Sequence, residues 1–201
     1  MREAKLLMLT QDNHQFISTN DALDYAYWCE ARRKSPKLSK VVPISTEKER
    51  PNWYSRTRYL TIEETITDGI MIKNTAIREI DKKLYRQHRY AIGITYRRRT
   101  DKTLSLIKDY ELEQLAKYIM KINPRIKNKW YIVFILKRLV GDRVPGHQDE
   151  KFWTERTGRK SRTLRYWRNG EYGIEKIYRS LYSQALAAIS IKFHDLQLVE
   201  G

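Results

Sequence analysis

The strongest constraint on the fold is a helix start followed by a helical period. Thr61 and Glu64 form a T-x-x-E capping box, in which the threonine oxygen accepts from a free backbone N–H and the glutamate reaches back to the cap. Ile66, Ile70, Ile77, Ile80 and Leu84 then recur at three- to four-residue spacings, the repeat of one face of an α-helix. The same reasoning extends along the chain. Thr19 and Asn20 offer N-cap oxygens to a short helix carrying Ala22, Leu23, Ala26, Trp28 and Cys29, and Arg32, Arg33 and Lys34 suit its C-terminus. Asp109 opens a helix with Leu112, Leu115, Ala116, Ile119 and Met120 that ends before Asn123-Pro124. Asn128 caps the next, with Tyr131, Phe134, Ile135 and Leu139 inward, and Gly141 stops it. Tyr85 to Arg99 reads as helix, although Tyr90 to Tyr96 would also suit a strand. The expected fold is mainly α, a multi-helix bundle without internal repeats. It divides into an N-terminal helix with a basic proline-containing loop (1–60), a helical core (61–141) and a C-terminal helix-turn-helix region with a support helix (142–201).

Charge restricts the function. Lys and Arg number 40 against 24 Asp and Glu, a formal net charge of +16. Such a surplus repels itself unless a polyanion neutralises it, and nucleic acid is the commonest such partner. A ribosome-associated protein or a membrane-surface protein would show the same balance. The hydrophobic share of 41% is enough for a genuine core, so the chain should fold and not remain a basic tail. A lone cysteine, Cys29, excludes an internal disulfide framework and a Cys-rich zinc site. The longest apolar run, Trp130 to Leu136, falls far short of the roughly 20 residues that cross a bilayer, and the N-terminus carries no signal-peptide apolar region. The expectation is a soluble, cytoplasmic protein with no membrane partner. Ser35 to Arg58, with Pro36, Pro43 and Pro51, reads as a long basic loop or arm that either lies on phosphates or is solvated.

The candidate reading head lies between Asp149 and Trp167. Asp149 can cap a short helix containing Phe152, Trp153 and Arg156, and Gly158 supplies the left-handed residue of a tight turn. Ser161 is then expected to cap a second helix. In it Leu164 and Trp167 face the core, while Arg162, Arg165 and Arg168 fall at three-residue steps on another arc. In a helix-turn-helix the second helix enters the major groove, where arginine can donate two parallel bonds to guanine. Arg159 to Arg168 holds five basic residues and no acid, so Arg159, Lys160, Ser161, Arg162, Thr163, Arg165 and Arg168 form the expected contact set for double-stranded DNA. The alternative is a basic helical hairpin that touches only phosphate, RNA or an acidic host protein. After Gly170 and Gly173, an apolar stripe of Ile174, Ile177, Tyr178, Leu181, Ala185, Ala188 and Ile189 marks a supporting helix.

Arg97, Arg98 and Arg99, with Arg86 and Arg89, add a second basic zone interleaved with Tyr85, Tyr90 and Tyr96, suited to nucleic acid or polymerase contacts. No enzyme is expected. His14, His88, His147 and His194 lack paired ligand spacing, and no phosphate-cradling loop or nucleophile elbow occurs. Asp149, Glu150 and Lys151 are better explained as a helix N-terminus than as part of a nuclease centre. No cofactor or metal is expected.

One resemblance goes further. Asn20-Asp21-Ala22-Leu23-Asp24-Tyr25-Ala26-Tyr27, a basic proline-containing loop, and Leu60-Thr61-Ile62-Glu63-Glu64 opening an Ile-rich helix resemble phage-encoded antitermination proteins and their prophage relatives. The resemblance implies a helical phage regulator in the cytoplasm of a bacterial host. Such a protein binds DNA near a late promoter and modifies a paused RNA polymerase to read through terminators. The Arg159 to Arg168 helix would then match the family's sigma-region-4-like DNA-binding element. Gly170 and Gly173 depart from the family's usual run into the support helix, and the missing zinc-ligand cysteines exclude its zinc-containing branch.

Overall fold

The computed structural model describes residues 16–34 and 60–200. The basic loop expected over 35–58 and His14 lie outside them. The described residues are mainly helical: α1 (Thr19–Lys34), α2 (Ile62–Lys83), α3 (Arg86–Tyr96), α4 (Lys102–Ile122), α5 (Lys129–Leu139), α6 (Glu150–Thr157), α7 (Ser161–Asn169) and α8 (Ile174–Asp195). None of the described helices is long and apolar enough to cross a membrane.

Local chemistry explains where the helices begin and end. The capping box at α2 is complete, with Thr61 accepting from the Glu64 N–H and the Glu64 carboxylate from the Thr61 N–H. Asn128 caps α5 through the Tyr131 N–H, and Gly141, with φ at +71°, follows its end. Two starts differ from the sequence reading. The α1 cap is Ser18, whose hydroxyl accepts from the Asp21 N–H, so Thr19 is already helical. Helix α4 begins at Lys102 under an Asp101 cap that accepts from the Leu104 N–H, well before Asp109. Its first turns bury Leu104 but leave Leu106 exposed, so they carry no clear apolar stripe. Within Tyr85 to Arg99 the ambiguous stretch is helical, as α3 over Arg86–Tyr96, while Tyr85 and Arg97 to Arg99 lie outside the helix.

The described residues fall into two compact units, one drawn from Met1–Tyr85, Tyr96–Leu106 and Leu186–Gly201, the other from Arg86–Thr95 and Ile107–Ala185. In the first, α1 packs on α2 along Ala22, Leu23, Tyr25, Ala26 and Cys29. The face that α2 buries is Thr65, Asp68, Gly69, Ile72, Ala76 and Ile80, whereas Ile66, Ile70 and Ile77 are half-buried. The helix is therefore rotated away from its isoleucine stripe. Gly69 permits the close approach on this face, because Cys29 occupies the space that a Cβ at position 69 would need. Polar groups complete the seam: the Tyr25 hydroxyl lies 3.0 Å from Asp68 Oδ2 and 3.2 Å from the Thr65 carbonyl, which also accepts from the Cys29 thiol at 3.3 Å. Burial, reinforced by Asp68, pushes the Cys29 thiol far above its ordinary pKa, leaving a small apolar side chain with no thiolate character. Phe16 closes the unit by a parallel bridge to Val199.

The second unit is built around α5, whose Tyr131, Ile132, Val133, Phe134, Ile135 and Leu136 are all buried. A helix buried on every side is central to its unit. Against it lie Leu112, Leu115, Ala116 and Ile119 of α4, Trp153 of α6, Leu164 and Trp167 of α7, and Ile174, Tyr178 and Leu181 of α8. A buried ion pair, Lys108 to Asp142 at 2.6 Å, anchors the connection that leaves α5.

Candidate nucleic-acid interface

The α6–α7 pair follows from its caps and its glycine. Asp149 Oδ1 accepts from the Phe152 N–H at 2.9 Å. At the other end the Thr157 hydroxyl donates to the Trp153 carbonyl and accepts from the Arg159 N–H, closing the last turn. Gly158 takes φ +62° and ψ 22°, the left-handed geometry that a side chain would strain. Three residues then separate α6 from α7. Ser161 does not cap α7: Lys160 occupies the cap position without a side-chain bond, and its carbonyl receives the Thr163 and Leu164 N–H groups. Ser161 instead stands beside Glu150 and favours its charged carboxylate.

One side of α7 is fixed by aromatic packing. Leu164 and Trp167 are buried. Tyr131 sits between Trp153, 5.4 Å away edge-on, and Trp167, 6.2 Å away, and its hydroxyl donates to the Leu164 carbonyl at 3.1 Å. Burial pushes the Tyr131 phenol up to about 12, so it remains a donor throughout the physiological range. The indole N–H of Trp153 is buried without a hydrogen-bond partner among the described residues, and the ring is held by packing against Tyr131, Phe134 and Phe152.

The other side is cationic. Arg159, Lys160, Arg162 and Arg165 are exposed, Ser161, Thr163 and Arg168 half-exposed. Among the described residues, Arg159, Lys160 and Arg162 hold no carboxylate. Arg165 and Arg168 do: Arg165 Nε lies 3.3 Å from Glu150, and Arg168 Nε lies 3.5 Å from Glu175. The second is an ion pair only, since its geometry forms no hydrogen bond. Arg165 keeps 67% of its side chain exposed, so the pair with Glu150 is open to solvent and readily exchanged. The sequence reading missed this role of Glu150. Fifteen positions and a turn separate it from Arg165, and no periodicity links them.

Glu150 would therefore compete with any polyanion that approached Arg165. Its carboxyl is held below the usual glutamate pKa, first by the Ser161 hydroxyl and then by Arg165. A lowered folded-state pKa means that the contact is fully formed above the unfolded value of about 4.3 and is lost as pH falls through the lower folded value. Glu150→Gln keeps an acceptor for Ser161 and removes the charge from Arg165. The expected outcome at neutral pH is duplex binding tighter by about two- to fivefold, the worth of one exposed ion pair. Titration of both proteins with duplex tests it, and an unchanged affinity would show that Glu150 does not compete for Arg165.

The second basic zone does not act as one group. Arg86 and Arg89 are exposed on α3. Arg98 pairs with Asp24 at 3.0 Å with 41% of its side chain exposed, and Arg99 is exposed. Arg97 differs. It is buried, lies 3.5 Å from Glu30, and its guanidinium sits over the Tyr27 ring. Lys73 shares the same carboxylate. Arg97 thus tethers its own unit, and contact with a nucleic acid would require that tether to break. Of the interleaved tyrosines, Tyr85 is exposed, Tyr90 meets Tyr110 edge-on, and Tyr96 stacks on Tyr27 and donates to Asn20. His88 is buried beside Gln184, His147 meets the Phe152 ring, and His194 is exposed.

No family model, curated protein or solved structure matches the chain.

Proposed function

We propose that the chain is a DNA-binding transcription regulator that uses α6 and α7 as a helix-turn-helix, with α7 lying in the major groove. The observation that carries this reading is the division of α7 into two faces: Leu164 and Trp167 buried, Arg159, Lys160, Arg162 and Arg165 outward. A helix seated this firmly can present arginines with little loss of side-chain order. Thr163 and Ser161 add short polar groups on the same turns. The net charge of +16 supplies the sequence-independent attraction to phosphate. Arg86, Arg89, Arg98 and Arg99 add to that attraction without reading bases.

The step from DNA binding to transcription control rests on the resemblance to phage antitermination proteins carried by residues 20–27 and 60–64. On that reading the protein works in the bacterial cytoplasm and engages RNA polymerase. Pull-down of polymerase from host lysate, repeated after nuclease treatment, tests the partner: retention after nuclease is expected, and loss would mean that nucleic acid alone bridged the two.

Base reading is tested by selecting a preferred duplex from a random pool and comparing two variants. Arg165→Ala is expected to weaken the selected site by about 1 to 3 kcal/mol and to relax its base preference. Arg98→Ala should weaken selected and random duplexes alike, with a salt slope shallower by about one unit. Equal losses on both duplexes for both variants would leave α7 as a phosphate-binding helix. A preference for RNA at matched salt would favour the ribosome-associated or RNA-binding alternative.

A further inference from the structure

The second unit carries a groove of about 420 Å³ between α5, the connection after it, and α6. Trp130, Phe134 and Phe152 give it aromatic walls, and Lys137, Arg143 and Arg156 give it three cations. Among the described residues no carboxylate lines it. None of these side chains belongs to the α7 contact set.

We infer that this groove binds unpaired nucleotides, as a site separate from the α7 face. Trp130 is the clearest sign. It is 53% exposed, although the six residues that follow it on α5 are buried, so a large apolar ring is held in solvent at the groove's edge. Cations lie against two of the rings: Lys129 Nζ, outside the lining and paired with Glu113 at 3.4 Å, is 4.6 Å from the Trp130 centroid, and the Arg156 guanidinium is 5.9 Å from that of Phe152. Arg143 is exposed, and Lys137 reaches Asp109 only at 3.5 Å with both groups partly solvated. Lys137, Arg143 and Arg156 are therefore available to an incoming anion.

Rings flanked by cations, with no acid in the lining itself, match a ligand made of flat π-systems on a negatively charged strand. A duplex cannot use them, because its base faces are already stacked on one another and only the edges are open. Single-stranded DNA and RNA share the required chemistry. An acidic peptide with an aromatic anchor is the competing occupant.

The test uses the full chain, labelled oligothymidylate and oligouridylate, a random duplex, and a tryptophan-containing polyglutamate peptide. Trp130→Ala and Arg143→Ala alter exposed side chains, and far-UV circular dichroism verifies that both variants stay folded. Each should lose about 10-fold in affinity for the unpaired strand, while duplex affinity changes less than about twofold. Arg165→Ala should do the reverse. Unchanged single-strand affinity in both variants overturns the inference, as does tighter binding of the peptide than of either oligonucleotide. The result is independent of base reading by α7: single-strand losses at Trp130 stand even if Arg165→Ala shows no selectivity.

Discussion

Gly69→Ala is expected to destabilise the first unit by about 3 kcal/mol, at the upper end of the usual cost of overpacking. On an exposed helix the sign would be opposite, since alanine is favoured over glycine by about 1 kcal/mol. Here the new Cβ would fall inside contact distance of both Cβ and Sγ of Cys29, and 3.5 Å from the Ala26 Cα. Rotating the cysteine side chain moves Sγ but leaves its Cβ in place. The clash is relieved only if α1 and α2 separate, which also draws Tyr25 away from Asp68 and Thr65. Urea denaturation followed by circular dichroism measures the loss. Cys29→Gly in the same chain should recover much of it, because that change removes both offending atoms. A Gly69→Ala protein as stable as the parent would mean that the two helices do not approach this closely.

The same glycine shows how far the sequence could be read. The capping box at Thr61 and the caps at Asn128 and Asp149 depend on residues within one turn of each other, and all three form as expected. Periodicity found the buried stripe of α4, where Leu112, Leu115, Ala116 and Ile119 agree with it. It misplaced the buried face of α2, because hydrophobic spacing weighs isoleucines and cannot see that a missing side chain permits closer approach. Contacts between distant segments were invisible for a related reason. Nothing local distinguishes Arg97, buried against Glu30, from Arg98 beside it, which stays half-exposed on Asp24. At the candidate interface the two faces of α7 were legible because Leu164 and Trp167 are three residues apart. The hold of Glu150 on Ser161 and Arg165 was not, because it crosses the turn at Gly158. The groove beside Trp130 was hidden too, since α5 reads as a uniformly apolar helix until its neighbours are in place.

Trp167→Ala should cost about 3 to 5 kcal/mol, the range for deleting a large buried aromatic side chain. Domains of this size are held together by only about 5 to 15 kcal/mol, so much of the margin would go. The indole is 4% exposed and packs against Tyr131, whose hydroxyl also holds the Leu164 carbonyl. Its loss opens a cavity beneath α7 at the point where the helix is fastened to α5. Duplex binding should fall with it, although Trp167 is buried away from the cationic arc. Trp167→Phe retains most of the volume and is expected to keep both the fold and the binding to within a few-fold. Arg162→Ala provides the contrast: an exposed arginine without a carboxylate partner should change stability by less than about 0.5 kcal/mol while still weakening the duplex complex. Thermal unfolding and duplex titration on the three variants separate the roles. If Trp167→Ala unfolds like the parent yet fails to bind, the ring contacts DNA directly. If it binds like the parent after losing stability, the placement of α7 does not govern recognition, and the cationic face acts through charge alone.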